Sequence, residues 1–354
     1  MADPFGVYIH IPFCRHRCGY CAFATWSDRH HLEEDYLRAV RTDIERSVAA
    51  GMHDVSSVFV GGGTPSLVDA KGLGDLLAAI PRTPFAEVTV ECNPDDVTVE
   101  LLTSYLAAGV TRVSLGVQSM SAHVLRSLDR QHDPGAVDTA IAAIKNAGVP
   151  TFNLDLIYGT NGESLDDWRR TLERVIEFDP PHLSAYALTV EAGTPLAEQP
   201  HLHPSDDDTA DKYELADEML LAVGLENYEV SNWARPGHEC QHNLLYWRQG
   251  NYRGFGCAAH SHENGHRWWN VRTPDRYIEH VRCNDPVMAA GEDLDEKTRR
   301  FERYELQLRL REGVPADVLD GDALPGLVSR VGDRWVLTRR GRLMANEIAT
   351  RLNV

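Results

Sequence analysis

The stretch YIHIPFCRHRCGYCAF, residues 8–23, joins a run of β-branched and aromatic residues to a loop that carries three cysteines. Cys14, Cys18 and Cys21 are spaced C-x3-C-x2-C, and Phe23 stands where a fourth thiol would continue the series. A cubane cluster of four irons is closed by one protein ligand for each iron, usually four thiolates. Three thiolates therefore predict a cluster with one open iron, at which a small molecule can chelate.

Zinc is an alternative occupant for the same cysteines. A structural zinc ion takes four ligands, typically arranged as two separated pairs. His10 or His16 would have to complete a Cys3His set, since no second pair of cysteines accompanies the loop. A third interpretation is that the cysteines are unrelated thiols. The spacing favours the open cluster over both.

Strand and helix patterns alternate over the first half of the chain. Short runs rich in β-branched residues are separated by longer segments with helical spacing of apolar residues. This alternation indicates a parallel sheet with crossover helices, and it fits both an open (β/α)6 barrel and a doubly wound sheet. The predicted strands are 6–11, 56–61, 87–92, 112–117, 151–157 and 182–189, and the predicted helices are 31–50, 69–80, 97–108, 133–147 and 164–178.

Polar and glycine-rich residues follow five consecutive predicted strands, at the edge where both architectures place functional residues. The cysteine loop follows the first strand, and GGGTPS, residues 61–66, follows the second. Glu91 and Gln118 end the third and fourth strands, and Asp155 lies in the fifth. Glycines allow close approach of a ligand to the backbone, and Glu91 can pair with an ammonium group. Gln118 and Asp155 can bind hydroxyl groups, and Arg130 can hold a carboxylate through a forked pair of hydrogen bonds.

The second half of the chain has a different pattern. A helix is predicted over 206–223, and the glycine-, histidine- and tryptophan-rich segment 227–271 follows no regular period. Residues 293–354 predict two or three helices, a short hairpin at DRWVLT and a final helix, which is the outline of a winged helix. The predicted domains are 1–200, 201–290 and 291–354.

Composition limits the partners and the location. The 354-residue chain carries a formal net charge of −18, which repels nucleic-acid phosphates. No nucleic-acid partner is therefore expected, although Arg339, Arg340 and Arg342 form one basic group in the winged region. Seven cysteines, an odd number, occur without a recognisable signal peptide or a long apolar run. The expected location is the cytoplasm, with peripheral contact with a membrane left open.

Taken together, these motifs resemble those of the radical S-adenosylmethionine (SAM) superfamily and, within it, the oxygen-independent coproporphyrinogen III oxidase (HemN-like) family. YIHIPFC, GGGTPS, ECNPD, GVQS, LDRQH and NLDLIYG carry the resemblance, which covers essentially the whole chain. It implies a partial (β/α)6 TIM-like barrel of the α/β class, with a smaller C-terminal α+β region that ends in a winged-helix-like subdomain. It also implies a [4Fe–4S] cluster on Cys14, Cys18 and Cys21, and bound SAM. The implied SAM contacts are Tyr8, Gly62, Gly63, Thr64, Glu91, Gln118, Arg130 and Asp155.

The HemN-like family contains porphyrinogen dehydrogenases and heme chaperones. The dehydrogenases have an N-terminal extension and a fourth cysteine two positions after the third, whereas here seven residues precede Tyr8 and Phe23 replaces that cysteine. The chaperones have an H-N-x-x-Y-W motif, which stands here at residues 242–247. The resemblance thus implies a chaperone that delivers heme to acceptor proteins, membrane-bound cytochromes among them, with a homodimer left open. A coproporphyrinogen III oxidase is the alternative, and no catalytic residue is assigned.

His242 is the predicted heme ligand. A neutral imidazole binds heme iron well, and Tyr246 and Trp247 offer flat apolar faces to a macrocycle. Spacing alone favours a hydrogen-bonded core histidine whose aromatic neighbours simply pack; the family resemblance turns the prediction to heme binding. Cys240 is a second, weaker candidate for contact with heme. The nearby histidines, which we interpret as loop residues, are His238, His260, His262 and His266.

Overall fold

The first six strands of the computed structural model, which describes residues 3–353, are parallel and lie side by side in chain order. A doubly wound sheet would reverse its strand order at a switch point. The order here runs without reversal, which decides for the barrel-type (β/α)6 arrangement. These strands are β1 Phe5–Ile11, β2 Val55–Gly62, β3 Arg82–Cys92, β4 Arg112–Gln118, β5 Thr151–Tyr158 and β6 His182–Ala187.

Helices connect these parallel strands, as crossover connections require. Side-chain caps begin several of them: Asp69, Thr98 and Asp133 each accept a hydrogen bond from a backbone N–H in the first turn. Ser164 and Asp167 form a reciprocal capping box at another. The helices are α1 Glu33–Ala49, α2 Ala70–Ala78, α3 Val99–Ala107, α4 Ala122–Ser127, α5 Pro134–Ala147 and α6 Leu165–Glu177.

The two faces of strand β1 have different surroundings: one packs in the main hydrophobic core, and the other faces the inside of the barrel. Val7, Ile9 and Ile11 are fully buried in the main hydrophobic core. Successive side chains of a strand point to opposite faces, so Gly6, Tyr8 and His10 lie on the other face. That face lines the inside of the barrel.

Segment 227–271, in which the sequence shows no regular period, adds strands to both edges of the same sheet. Strand β9 adds parallel to β1, and the antiparallel strands β10 to β12 continue beyond it, whereas β8 and β7 follow β6. The domain boundaries at 200 and 290 stay predictions, since strands from 201–290 belong to the sheet of the first segment. The elements are α7 Asp206–Ala222, β7 Glu226–Glu229, β8 Asn232–Ala234, α8 Gln241–Trp247, β9 Asn251–Phe255, β10 His260–Glu263, β11 His266–Asn270, α9 Pro274–Cys283 and β12 Met288–Asp293.

The C-terminal unit has its own small core and a three-stranded antiparallel sheet. DRWVLT supplies only the second strand of the predicted hairpin, and the final helical segment is divided at Met344. Arg339 and Arg342 both pair with Asp217 of α7, so two arginines of the basic group attach this unit to the barrel. The elements are α10 Glu296–Leu308, β13 Val314–Pro315, β14 Val328–Val331, β15 Arg334–Leu337, α11 Arg339–Leu343 and α12 Ala345–Ala349.

Within residues 3–353, no helix has the length and apolar character needed to cross a bilayer.

Candidate functional site

A cavity of about 470 Å³ opens at the carboxyl ends of β1 to β5, beside the cysteine loop. Its volume lies in the range of small-molecule sites. The polar and glycine-rich residues predicted at the ends of five strands therefore lie together around one cavity. Tyr8 and His242 do not line the cavity, but the other predicted site residues do: Cys14, Cys18, Cys21, Gly62, Gly63, Thr64, Glu91, Gln118, Arg130 and Asp155.

Backbone hydrogen bonds close the cysteine loop on itself. The N–H of Cys14 donates to the carbonyl of Trp26 at 3.1 Å, and the N–H of Trp26 donates to Pro12 at 2.8 Å. A tight turn joins Cys21 N–H to the Cys18 carbonyl at 3.1 Å. The three thiols are free, partly exposed and on the cavity wall. The loop therefore presents three sulfur ligands to one space.

The surroundings of the thiols shift their pKa in both directions. Burial raises the pKa of the Cys14 and Cys18 thiols, and the Arg130 charge opposes this at Cys18. The Thr64 hydroxyl donates to Cys14 Sγ at 3.6 Å, which stabilises the thiolate. Within the described chain, no three His, Cys, Asp or Glu side chains are arranged around a single ion. A cubane cluster makes no such demand, because each thiolate binds its own iron.

Two glycines bring backbone against the cysteine loop. Gly62 has φ +113°, a region that favours glycine. A Cβ on Gly63 would lie 2.6 Å from the carbonyl oxygen of Phe13. Side chains are therefore excluded at both positions, and the Gly62 N–H donates to Glu91 Oε2 at 3.1 Å. The backbone of GGGTPS is thus open to close approach by a ligand, as the glycines predict.

Glu91 and Asp155 form an acidic wall. Burial, and then the charge of Asp155, raise the pKa of Glu91 to about 8. Burial also raises the pKa of Asp155, although Ser114 Oγ donates to it at 2.7 Å and Asn153 Nδ2 at 2.8 Å. Two half-buried carboxyl groups on a cavity wall are suited to a cationic ligand, which would restore their ordinary ionisation.

Arg130 lines the same cavity and is held there by neutral groups. Its Nη2 donates to Asn93 Oδ1 at 2.8 Å and to the Gly116 carbonyl at 3.2 Å. Its charge is thus available for a ligand carboxylate. Gln118 ends β4 with φ +63°, a conformation uncommon outside glycine.

Asn93 is a site residue that sequence reasoning missed. It accepts from Arg130, and its Nδ2 donates to Thr64 Oγ1 at 3.4 Å, so it connects two predicted site residues. The signal was its place two residues after Glu91, within the ECNPD stretch.

Tyr8 lies inside the barrel rather than on the cavity wall. Its hydroxyl is hydrogen-bonded to His10 Nδ1 at 3.0 Å, and its ring stacks on Phe59 with centroids 6.4 Å apart. Contact between Tyr8 and SAM stays a prediction.

His242 lies at the opposite end of the barrel from the cysteine loop. Its Nδ1 is 2.9 Å from Ser57 Oγ, near the start of β2, and its backbone N–H donates to Glu87 Oε1, in the middle of β3, at 3.1 Å. Its Nε2 is 2.8 Å from Tyr246 Oη. The side chain is fully buried, and burial lowers its pKa to about 3, so the ring is neutral. Both ring nitrogens are engaged, and in this conformation neither faces an open space for heme iron.

The other candidates near His242 differ in accessibility. Cys240 is buried and its Sγ lies 3.5 Å from Glu87 Oε1. His260 is exposed and stacks on Trp269 with centroids 5.7 Å apart. The remaining histidines are hydrogen-bonded locally, His238 to Thr151, His262 to Gly250 and His266 to Asp293.

Comparison with known proteins relates the whole chain to one group. The radical SAM superfamily profile matches residues 8–175. The chain is 42% identical over 370 residues to a protein named heme chaperone HemW from Mycobacterium tuberculosis, spanning 99% of this chain and 95% of the relative. HemW of Escherichia coli is 34% identical, with 98% and 97% covered, and HemW of Bacillus subtilis is 32% identical, with 96% and 97% covered.

A solved structure shares the fold. Coproporphyrinogen III oxidase (HemN) from Escherichia coli, a radical SAM enzyme, superposes with a TM-score of 0.85 and covers 98% of this chain and 89% of its own. The two sequences are 22% identical, so the likeness supports the architecture alone.

Proposed function

Since the chain belongs to the heme chaperone HemW family of the radical SAM superfamily, we propose that it binds heme together with a [4Fe–4S] cluster and SAM, and that it delivers the heme to acceptor proteins. The observation that carries the proposal is the occurrence, in a chain similar to HemW over its full length, of both a three-thiol cavity and HNLLYW at residues 242–247.

Membership of the superfamily implies the cluster and SAM, and the cavity has residues for each. Cys14, Cys18 and Cys21 would ligate three irons and leave the fourth open. Such a cluster supplies a single electron at low potential and an iron that chelates the amino-acid part of SAM. The chain's own residues would bind and orient SAM: Glu91 would pair with its ammonium group and Arg130 with its carboxylate.

The hydroxyl groups of SAM would be bound by two further side chains of the cavity. Asp155 is fixed by Ser114 and Asn153, so one carboxylate is already positioned before a ligand arrives. Gln118 projects from a left-handed backbone at the end of β4. Pre-positioned acceptors of this kind lower the entropy lost on binding.

Heme would bind where His242 can be reached. His242 is neutral at physiological pH, as an iron ligand must be, but it is enclosed by Ser57, Tyr246 and Phe59. Ligation by His242 thus requires α8 to move away from the strands it covers. This helix has seven residues, and helices this short depend on their packing for stability.

Phe23 favours the carrier over the oxidase. It lines the cavity with 66% of its surface exposed, at the position where the dehydrogenases of the wider family have a cysteine. A phenylalanine offers no ligand or proton there. The cavity therefore has the sulfur ligands of the cluster without that further thiol.

A paired anaerobic experiment separates carrier from oxidase. Protein with reconstituted cluster and SAM is incubated either with hemin or with coproporphyrinogen III. We expect hemin to stay with the protein through gel filtration, with a Soret band, and coproporphyrinogen III to be recovered unchanged. Formation of protoporphyrinogen IX by protein that retains no hemin would overturn the proposal.

A further inference from the structure

A column of stacked rings runs through the inside of the barrel. His242 stacks on Phe59 with ring centroids 5.5 Å apart and an interplanar angle of 28°. Phe59 stacks in turn on Tyr8, at 6.4 Å and 24°. The Tyr8 hydroxyl is hydrogen-bonded to His10 Nδ1 at 3.0 Å. Four side chains from α8, β2 and β1 are thus in continuous contact.

The upper end of the column holds the cysteine loop. His10 Nε2 lies 2.9 Å from the carbonyl oxygen of Ala24. Ala24 is three residues after Cys21, and the loop closes through Trp26. The position of the His10 ring therefore bears directly on the position of the loop that carries the thiols.

At the lower end of the column, both ring nitrogens of His242 are already hydrogen-bonded. Ser57 and Tyr246 engage the two ring nitrogens of His242, and Leu245 lies so close to β1 that a Cβ on Gly6 would be 2.5 Å from Leu245 Cδ2. Any exposure of His242 would break its contacts with both Ser57 and Phe59. Release of α8 thus removes the lower support of the column.

Glycines close the column from the side. A Cβ on Gly62 would lie 2.4 Å from His10 Nδ1, and one on Gly61 would lie 3.0 Å from Phe59 Cε1. Close-packed interiors pass displacements from one group to the next, because they leave few voids to absorb them. Tyr8 and Phe59 are half-buried, but each touches the next ring, so displacement of one ring is expected to disturb its neighbours in the column.

We propose that Phe59, Tyr8 and His10 are positioning residues that couple the closed state of α8 to the seating of the cysteine loop. A cluster that fixes the loop keeps His10 and Tyr8 in place, and the column then holds α8 closed over His242. Opening of α8 loosens the loop by the reciprocal route, since coupling between two sites is symmetric. Only the identity of the ligand that opens α8 rests on the proposed function.

Hydrogen exchange measures this coupling without heme. The amides of residues 241–247 are compared in wild-type protein with and without reconstituted cluster. Coupling energies commonly correspond to a factor of about five or more, so we expect exchange in α8 to be at least about fivefold slower with the cluster. Tyr8→Phe removes the hydroxyl bonded to His10, and Phe59→Leu removes the stacked ring. In both variants the ratio should fall to about one when samples of equal iron and sulfide content are compared with their cluster-free forms.

Phe85→Leu is the matched control, because Phe85 is 98% exposed and outside the column. It should keep the wild-type ratio. Equal exchange with and without cluster in the wild type, or a wild-type ratio in both Tyr8→Phe and Phe59→Leu, would overturn the coupling. Failure to bind hemin would contradict the proposed function alone, since no hemin enters this experiment.

Discussion

Gly62 and His10 approach each other so closely that a methyl group on Gly62 would lie 2.4 Å from His10 Nδ1. Gly62 also has φ +113°, which L side chains rarely adopt. Gly62→Ala should therefore displace the His10 ring and with it the cysteine loop. We expect a loss of about 2 kcal/mol in the free energy of unfolding and a lower iron content after anaerobic reconstitution.

Gly51→Ala is the control for backbone strain alone. Gly51 has φ +94°, and an added Cβ would meet nothing within 4 Å. This variant should lose stability but load iron and sulfide to the wild-type level. Equal loading of the two variants would show that contact with His10 is irrelevant to the loop.

The three thiols should hold one oxygen-sensitive [4Fe–4S] cluster per chain. Cys14→Ala removes one ligand and should abolish the electron paramagnetic resonance signal of the reduced cluster. Cys283→Ala is the control, because Cys283 is exposed and far along the chain from the loop, and it should load normally. Four irons and four sulfides per chain are expected by chemical analysis. One equivalent of zinc in their place would contradict the assignment.

Glu91 should make SAM binding depend on pH. Its pKa is raised to about 8 in the unliganded site, mainly by burial. A cationic ligand favours the ionised carboxylate, so SAM affinity should rise between about pH 6.5 and 8.5. Glu91→Gln should remove that increase and weaken SAM binding at pH 8.5 by about tenfold, measured by equilibrium binding to cluster-loaded protein.

The raised pKa of Glu91 also makes the stability of the protein depend on pH. Stability should fall as pH rises, whereas SAM affinity should increase. The carboxyl is protonated in the folded protein up to about pH 8 but ionises above 4.5 when the chain unfolds. Unfolding therefore releases a proton between these values, and stability falls as pH rises through that window. Glu91→Gln should consequently be more stable than wild type by about 2 kcal/mol at pH 7.5. A variant that is destabilised and still shows the pH dependence of SAM binding would refute this role.

His242→Ala should weaken hemin binding by at least about tenfold, the equivalent of 1.4 kcal/mol, because the axial ligand is lost. His182→Ala is the matched control: His182 is also buried, and its ring nitrogens are hydrogen-bonded to Asn153 and Tyr228. Both variants should lose about 2–4 kcal/mol of stability, since each leaves buried partners unpaired. Equal hemin affinity of the two variants would exclude His242 as the ligand.

The barrel was predictable because its signals are local. Each of the six parallel strands overlaps its predicted run, since β-branched residues and periodic apolar positions are read within a short window. The predicted family and fold class are confirmed. Helix α4 was missed because its six residues, Ala122–Ser127, are too few to show a period. Strand β9 was missed because its partner β1 lies far away in sequence.

The site was predictable to the extent that strand ends determine it. The position of Glu91 and Asp155 on one cavity wall followed from sequence because parallel strands bring their carboxyl ends to one edge. The environment of His242 could not be predicted, because its burial depends on where α8 packs. The sequence HNLLYW is compatible with both an exposed and an enclosed histidine. Tyr8 was placed on the correct strand, but its bond to His10 depends on rotamers that spacing does not specify.

The central claim, that this chain carries heme, is tested most directly by titrating anaerobic, cluster-loaded wild-type protein with hemin while the Soret region is recorded. One equivalent of hemin per chain should bind, with the spectrum of an axially ligated heme. Protein that loads iron, sulfide and SAM fully but leaves the hemin spectrum unchanged would contradict the claim.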